Sequence, residues 1–324
     1  MSAPLQHYSL FGLSLATDFP FANRLGEGAA PRDLTFFCEP VAAGALERAL
    51  PCIYQSARPT AEGEPAVFLF RDSRQELLRF TRDTDFLIGD DRIVAHATGP
   101  ESLIETHLLG PVLSYWLERK GIVTLHGSAV ALEQGAVGFL SRRGGGKSGM
   151  AAACLQSGGA LLSDDLLPIA ATQGGFLVQP GYPQMRMWPD ESTHFLGGCE
   201  HLPLVHPERS KRRVPVGSGG FGTFHGTPLP LACLYLLERQ EDGEAPIRIS
   251  TASPRDALIE LLRHSFLPLL IEAAGFQLAR FDLLSRLVLR VPVKRLQYPS
   301  GFDHLPRVAE AVRRDLEGCG EPGA

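Results

Sequence analysis

GAVGFLSRRGGGKSGMAAACLQSGGALLSDDLLP, residues 135–168, contains a short apolar run, a glycine-rich turn, an alanine-rich segment and a second apolar run that includes two aspartates. Consecutive glycines let backbone N–H groups crowd around an anion with no Cβ in the way. A helix that follows such a turn presents its N-terminal amides and the positive end of its dipole to the same anion. The order of these parts therefore predicts a phosphate-binding loop between a strand and a helix.

The side chains of this loop are those that a nucleoside triphosphate site needs. The glycine run Gly144, Gly145 and Gly146 supplies backbone amides for the phosphates. Lys147 can reach the β- and γ-phosphates, and the hydroxyl of Ser148 can ligate Mg²⁺. We interpret these five residues as a binding site for ATP and Mg²⁺. A flexible glycine turn with an incidental Lys-Ser pair is the alternative.

The loop differs from the usual pattern at its start. Ser141 stands five residues before the last glycine, where the pattern has glycine, and Arg142 and Arg143 follow it. The two arginines either add positive charge beside the phosphates or face the solvent. We count Arg143 among the candidate nucleotide-binding residues.

The acidic pair Asp164-Asp165 follows the second apolar run and indicates catalysis as well as binding. A carboxylate at a strand end facing the loop can hold a metal ion, and a second one can take a proton from an incoming hydroxyl. A solvated turn is the alternative for this pair. The sequence does not decide which aspartate has which role.

Three segments resemble, in order and spacing, the HPr kinase/phosphorylase family and its HPr-kinase-related relatives. They are LHGSAV at residues 125–130, the phosphate loop, and LSDD at residues 162–165. The resemblance implies a fold of the α/β (α+β) class, with an HPr kinase/PEP carboxykinase-like P-loop kinase domain and a small, mostly-β N-terminal domain. Looser similarity at residues 8–13 and 181–190 points to related kinases, including those found beside peptide-modifying enzymes.

The same resemblance implies roles for individual residues. It makes Asp164 the general base toward the acceptor hydroxyl and places Asp165 with Ser148 at the metal ion. His126 would join Asp164 and Lys147 as a catalytic residue, whereas a satisfied structural histidine is the alternative. A neutral imidazole there could orient Asp164, and a protonated one could stabilise the transferring charge. The chain has no clear counterpart of the Glu-x-Arg-Gly-x-Gly segment that the resemblance associates with the reverse, phosphorylase reaction.

The whole chain divides by pattern into three parts. Residues 1–102 read as short strands and turns, with a hairpin at Asp90-Asp91, and predict a mostly-β N-terminal domain. Residues 103–318 form the predicted kinase domain, which opens with a helix over residues 103–120. Residues 319–324 form a disordered tail. The N-terminal domain would support the kinase domain, dock the substrate or make a dimer contact.

Two basic features outside the loop have more than one interpretation. Arg186 lies in a strand-like apolar run, so it either meets an acid in the core or points at phosphate. The run HPERSKRR at residues 206–213 is by default a solvated mobile loop. A lid over the γ-phosphate, or a dock for an acidic peptide, is the alternative for this run.

The composition excludes several classes of protein. Of the 324 residues, 44% are apolar and 21% are charged, which is typical of a globular protein. The formal charge of −5 argues against nucleic acid as a partner. No apolar run reaches the roughly 18–20 residues of a membrane span, and the N-terminus lacks the pattern of a secretion signal, so we expect a cytoplasmic protein. The 6 cysteines are scattered without metal-ligand spacing, which argues against a zinc site.

These observations together predict an ATP- and Mg²⁺-dependent kinase that phosphorylates a serine hydroxyl on a peptide or protein. The resemblance implies an acceptor such as a ribosomal or lasso precursor peptide, and a kinase that self-associates as a homo-oligomer. A kinase for a small molecule, such as free serine or a sugar, is one alternative. A nucleotide-binding regulator that has lost catalysis is another, and the intact aspartate pair argues against it.

Overall fold

The computed structural model describes residues 4–41, 50–57, 59–81, 84–206 and 209–318. Contacts divide the chain into two compact units. The first unit extends to Lys120 and includes Leu267–Leu278, and the second comprises Gly121–Phe266 and the chain from Ala279 onward. The disordered tail predicted at residues 319–324 lies outside the described residues.

Strands and helices follow each other along the described residues. In chain order the strands are β1 (Gln6–Leu10), β2 (Leu13–Thr17), β3 (Gly26–Glu27), β4 (Leu34–Glu39), β5 (Cys52–Gln55), β6 (Val67–Arg71), β7 (Glu76–Phe80), β8 (Thr84–Ile88), β9 (Arg92–Ala97), β10 (Val123–Leu125), β11 (Gly127–Leu132), β12 (Gly135–Leu140), β13 (Ala160–Ser163), β14 (Leu167–Thr172), β15 (Gly175–Val178), β16 (Gln184–Met187), β17 (Leu204–His206), β18 (Arg209–Pro215), β19 (Thr223–Phe224), β20 (Leu229–Gln240), β21 (Arg248–Thr251) and β22 (Val293–Pro299). The α-helices are α1 (Glu101–His107), α2 (Leu113–Arg119), α3 (Lys147–Gln156), α4 (Pro189–Leu196), α5 (Pro254–Arg263), α6 (Pro268–Ala273), α7 (Gln277–Val288) and α8 (Leu305–Glu317). A π-helical turn (Leu108–Val112) joins α1 to α2. Within the described part of the chain, no helix is both long and apolar enough to cross a membrane.

The first unit is built on one sheet with the strand order β3-β1-β2-β4-β9-β8-β7-β6-β5. The hairpin predicted at Asp90-Asp91 is present, because β8 and β9 are antiparallel and place Ile88 opposite Ile93. Both isoleucines are buried, so the hairpin contributes directly to the core of this unit.

The helical stretch from α1 to α2 belongs to the first unit, although we predicted that it opens the kinase domain. The indole Nε1 of Trp116 donates a hydrogen bond to the carbonyl oxygen of Gly89 at 3.2 Å. The guanidinium of Arg119 donates to the carboxylate of Asp90 at 2.9 Å. The contacts thus place the division at Lys120, whereas the sequence predicts a boundary at residue 102. Helical periodicity predicts a helix, but it does not reveal the surface on which that helix packs.

The second unit is built on a mixed sheet with the order β10-β14-β15-β20-β12-β11-β13-β19, and β22 pairs with β20 and β21. Strand β11 is antiparallel both to β12 and to β13. Strands β12 and β13 consequently run in the same direction and end at the same edge of the sheet. Pairing of Gly127 with Leu140, and of Ala129 with Ser163, fixes the register at that edge.

Helix α3 is buried on nearly all sides because most of its residues are small. Met150, Ala151 and Ala152 have no exposed surface. Alanine is the strongest helix former, and its short side chain allows neighbouring elements to approach closely. Helix α3 lies against β11, β12 and α8, so the core of the second unit surrounds the helix that follows the glycine loop.

The basic run that we predicted as a mobile loop contributes to two strands where the structure describes it. Strands β16, β18 and β17 form a small antiparallel sheet in that order. Met185 pairs with Val214 and Arg186 with Arg213. Main-chain pairing thus holds this segment, and a pattern of charged side chains does not reveal such pairing.

Replacement of Leu284 by alanine should lower the free energy of unfolding by about 2–5 kcal/mol, because it opens a cavity in a closed core. Leu284 lies on α7, is 0% exposed and belongs to the core of the second unit. Leu278 lies on the same helix and is 84% exposed, so Leu278→Ala should change stability by less than about 0.5 kcal/mol. Urea denaturation followed by circular dichroism measures both values. An equal loss in the two variants would contradict this placement of α7.

Candidate active site

A small cavity of about 40 Å³, here called the central cavity, lies at the sheet edge where β12 and β13 end. The loop of residues 141–146 follows β12, and the aspartate pair follows β13. Eight of the nine predicted site residues line this cavity: His126, Arg143, Gly144, Gly146, Lys147, Ser148, Asp164 and Asp165. The ninth, Gly145, lies between two of them in the loop. The structure therefore brings together the residues that the sequence selected.

Each position of the glycine run requires glycine for a steric reason. Gly144 and Gly146 have φ angles of 77° and 91°, in the left-handed region that favours glycine. A Cβ on Gly145 would lie 2.6 Å from Oγ and 2.7 Å from Cβ of Ser141. The loop therefore folds tightly back onto Ser141, whose buried side chain occupies the place where the usual pattern has glycine. The side chains of Arg142 and Arg143 are exposed.

Lys147 is buried at the start of α3, and its ammonium group bonds to the loop itself. Its Nζ donates to the carbonyl oxygens of Ser141 at 3.1 Å and of Arg142 at 3.4 Å. Burial lowers the pKa of Lys147, and the carboxylate of Asp165 offsets part of that effect. Both hydrogen-bond acceptors are neutral, so an anionic phosphate oxygen would be a stronger partner for this cation.

Asp164 is buried and accepts hydrogen bonds from three neutral donors. Its Oδ1 accepts from the hydroxyls of Ser128 at 2.6 Å and Ser148 at 3.1 Å. Its Oδ2 accepts from the backbone N–H of Arg186 at 2.8 Å. We predicted Ser148 beside Asp165, but the structure places its hydroxyl against Asp164. The two neighbouring carboxylates thus have different partners, and Asp165 adopts a left-handed φ of 71°.

Asp165 forms an ion pair with Arg186, whose guanidinium lies 2.7 Å from Oδ2. This contact settles the two interpretations of Arg186 in favour of an acidic partner. Arg186 also donates to the hydroxyl of Tyr182 at 3.2 Å. Burial by itself would raise the pKa of Asp165, but Arg186 and His126 outweigh it and hold the pKa below its ordinary value. Asp165 therefore remains a carboxylate at neutral pH.

His126 lies beside Asp165, whereas one sequence-based hypothesis has it orient Asp164. Its Nδ1 is 3.0 Å from the carbonyl oxygen of Asp165 and 3.6 Å from Oδ1 of the same residue. Because a carbonyl oxygen can only accept, the hydrogen-bond network assigns the proton to Nδ1 and leaves a lone pair on Nε2. Burial lowers the pKa of His126, with a smaller opposing effect from Asp165. The imidazole is therefore neutral at neutral pH and can accept a proton.

Four residues that the sequence did not assign to the site also line the central cavity: Ser128, Trp188, Glu191 and Lys211. Glu191 accepts a hydrogen bond from the backbone N–H of Trp188 at 2.8 Å, and burial raises its pKa. Pro189 at the first position of α4, with Glu191 two residues later, is a helix-start signal that could have located this segment. The ammonium of Lys211 lies 5.3 Å from the ring centroid of Trp188.

Two larger cavities in the second unit share residues with the central cavity. The first, about 590 Å³, contains Arg142, Arg143 and Arg263 and is here called the basic cavity. The second, about 500 Å³, contains Trp188, Tyr298 and Phe302 and is here called the aromatic cavity. His126 and Arg143 line both the central and the basic cavity, whereas Gly146 and Trp188 line both the central and the aromatic cavity. The glycine loop thus borders all three cavities.

The acidic residues here fit a metal ion that is shared with a phosphate ligand. Among the described residues, no group of three or more His, Cys, Asp and Glu side chains could hold a metal ion on its own. Mg²⁺ at phosphate sites usually takes one or two protein ligands and completes its shell with phosphate oxygens and water. Oδ1 of Asp164 and Oγ of Ser148, which lie 3.1 Å apart, have the donor chemistry for such an ion.

Comparisons with known proteins add little to this picture. No family model matches this sequence, and no curated protein is significantly similar to it. Among solved structures, the Hpr(Ser) kinase/phosphatase from Coxiella burnetii aligns with 61% of this chain and 99% of its own chain, at 12% sequence identity and a TM-score of 0.32. A similarity at this TM-score carries no argument about activity, so the function has to be inferred from the geometry of the site.

Gly145→Ala should abolish nucleotide binding, because its Cβ would displace the side chain and backbone around Ser141. A Cβ at position 144 would have no neighbouring atom within 4 Å. Gly144→Ala therefore only forces alanine into a left-handed conformation, which costs about 1–2 kcal/mol. We therefore expect a loss of affinity of about 5–30-fold for Gly144→Ala. The change in tryptophan fluorescence on titration with ATP measures both. Tighter binding by Gly145→Ala than by Gly144→Ala would contradict this loop geometry.

Two substitutions should move the pKa of His126 in opposite directions. Asp165→Asn removes a charge that raises this pKa, so the pKa should fall further below its ordinary value. Lys147→Met removes a charge that lowers it, so the pKa should rise. Ring-proton chemical shifts in an NMR titration measure the values, with Arg255→Gln on the exposed side of α5 as the control. Shifts of the same sign in both variants would show that His126 is not placed between these two charges.

Proposed function

We propose that this protein is an ATP- and Mg²⁺-dependent phosphotransferase that moves the γ-phosphoryl group to a hydroxyl, with a serine of a peptide or protein as the acceptor. The observation that carries the proposal is the order of the three cavities. A central cavity with phosphate-binding groups lies between an aromatic cavity and a basic one. Such an order gives separate places to a nucleoside, a triphosphate and an acceptor.

The aromatic cavity suits the nucleoside. Flat rings such as those of Trp188 and Phe302 can stack on a purine base. Gly149 also lines this cavity and directly follows Ser148, so the cavity continues from the helix end of the phosphate loop. The basic cavity continues from the other end of the loop, at Ser141. The triphosphate would therefore lie along the loop with its γ-phosphate toward the basic cavity.

The loop and Lys147 would bind the phosphates. The first amides of α3 have no acceptor within the helix and point at the central cavity, as in other helix N-termini that bind anions. Lys147 would exchange two neutral carbonyl partners for phosphate oxygens. Ser148 and Asp164 would ligate Mg²⁺, which when bound neutralises charge on the β- and γ-phosphates. This pairing differs from our sequence-based assignment, which put Asp165 at the metal ion.

His126 would accept the proton of the acceptor hydroxyl. Its neutral imidazole has a free lone pair on Nε2 and lines both the central and the basic cavity. Asp165 would hold the ring in this tautomer and stabilise the imidazolium. Asp164, our sequence-based candidate for the base, already accepts three hydrogen bonds and is better suited to a metal ion.

The transfer step has a simple balance. The acceptor oxygen forms a bond to the γ-phosphorus while the bond from that phosphorus to the β-γ bridging oxygen breaks. The hydroxyl proton passes to Nε2 of His126, and ADP leaves. Arg143 lines both cavities and would stabilise the charge that develops between them.

Incubation with Mg²⁺ and γ-labelled ATP tests the proposal. The acceptors are serine-containing peptides, free serine and sugars. We expect transfer to peptide serine, with losses of about 10²–10⁴-fold for His126→Gln and for Lys147→Ala, because the first removes the proton acceptor and the second removes a cation that stabilises charge on the phosphates. The control Arg255→Gln should retain wild-type rates. The rate should also fall as the pH decreases through the pKa of His126, because the base becomes protonated.

Other outcomes of the same experiment identify the alternatives. Transfer only to free serine or a sugar would indicate a small-molecule kinase. ATP binding with neither transfer nor hydrolysis would contradict the proposed activity and favour a nucleotide-binding regulator. Full activity in His126→Gln would return the role of base to one of the two aspartates.

A further inference from the structure

Positively charged side chains outnumber carboxylates in the lining of the basic cavity. It contains Arg142, Arg143 and Arg263 together with one carboxylate, that of Glu260. Arg142 lines this cavity and does not line the central one. A cation in this position is placed to contact a ligand of the basic cavity.

The charge of Glu260 is already balanced within its own helix. The guanidinium of Arg263 lies 2.9 Å from Oε1 of Glu260, and the imidazole of His264 lies 3.9 Å from Oε2. Burial lowers the pKa values of both His126 and His264, so the two imidazoles are neutral at neutral pH. The positive charge that remains for a ligand is therefore that of Arg142 and Arg143.

We propose that the basic cavity is an acceptor site for an anionic substrate, in which Arg142 binds a carboxylate or phosphate group on the molecule that carries the acceptor hydroxyl. This inference rests on the proposed phosphotransferase function and names the class of its acceptor. Guanidinium groups bind carboxylates and phosphates through paired hydrogen bonds, which fixes orientation as well as position. Arg142 is thus a specificity-determining residue, and His126 remains the residue that faces the hydroxyl.

The start of the loop supports this role for Arg142. The carbonyl oxygen of Arg142 accepts hydrogen bonds from the backbone N–H of Gly145 at 3.0 Å and from the hydroxyl of Ser141 at 3.1 Å, neither of which involves Lys147. These bonds hold the backbone of Arg142 and leave its exposed side chain at the basic cavity. The loop thereby supplies a cation beside the acceptor.

The dimensions of the cavity limit the distance between the two groups. His126 and Arg142 line the same space of about 590 Å³, so a hydroxyl at the first and an anion at the second belong to neighbouring parts of one molecule. A serine whose own or adjacent residue carries a negative charge meets this requirement. An uncharged sugar does not.

Equilibrium dialysis in the presence of Mg²⁺ and a non-hydrolysable ATP analogue tests the proposal with three labelled tetrapeptides. The first ends in serine with a free carboxylate, the second is its C-terminal amide, and the third is the amide with a phosphothreonine before the serine. We expect at least one anionic peptide to bind about tenfold or more tightly than the amide, because a charge-assisted bond contributes on the order of 1.5–3 kcal/mol. Comparison of the two anionic peptides shows whether the site prefers a carboxylate or a phosphate group.

Substitutions then assign the preference to one residue. Arg142→Gln should reduce the preference for the anionic peptide to about threefold or less, since the charged partner is lost. Arg255→Gln makes the same change of charge on α5 away from the cavity and should retain the full preference. Equal binding of all three peptides, no detectable binding of any, or an unchanged preference in Arg142→Gln would overturn the proposal.

The anion site and the phosphoryl transfer can each be disproved separately. If the wild type prefers the anionic peptide but transfers no phosphate to it, the anion site stands and the proposed transfer is wrong. If it transfers phosphate equally well to the neutral amide and to the charged peptides, the transferase stands and the anion site is wrong. Titration with ATP then measures the nucleotide affinity of Arg142→Gln. We expect this affinity to match that of the wild type within about twofold, because the substitution acts on the acceptor side.

Discussion

Strand β11 is the element on which the geometry of this site depends. Because it pairs antiparallel with both β12 and β13, these two strands run in the same direction and end at the same edge. The glycine loop leaves one of them, the aspartate pair leaves the other, and His126 immediately precedes β11 itself. A shift of one residue in either register would turn the buried faces outward and separate these groups.

Asp164 and Asp165 are adjacent in the chain, but the charges around their carboxylates differ. Asp164 has neutral donors on both oxygens, so its negative charge remains available to a cation. Asp165 has its charge compensated by Arg186 and lies against the ring of His126. One carboxylate thus has the surroundings of a metal ligand, and the other has the surroundings of a group that orients an imidazole.

Local pattern predicted the parts of the site, and its failures have physical causes. The loop and the helix rich in alanine follow from steric and periodic rules over a few residues. The contact between Ser148 and Asp164 depends on which way each side chain turns after a strand end, and the sequence carries no signal for that direction. Glu191 and Lys211 reach the cavity through α4 and the small sheet, whose strand pairing leaves no local signal. The helix before Gly121 was predicted, but its packing partner was not.

The three cavities draw on different parts of the chain. Residues that line the central cavity all lie between positions 126 and 211. The basic cavity adds residues 260–266, and the aromatic cavity adds Arg239 and residues near 300. Substitutions in residues 260–266 or 298–305 can therefore reshape one cavity alone, whereas a substitution in the glycine loop affects all three. Variation outside the loop can thus change what a neighbouring cavity accommodates while the loop itself stays constant.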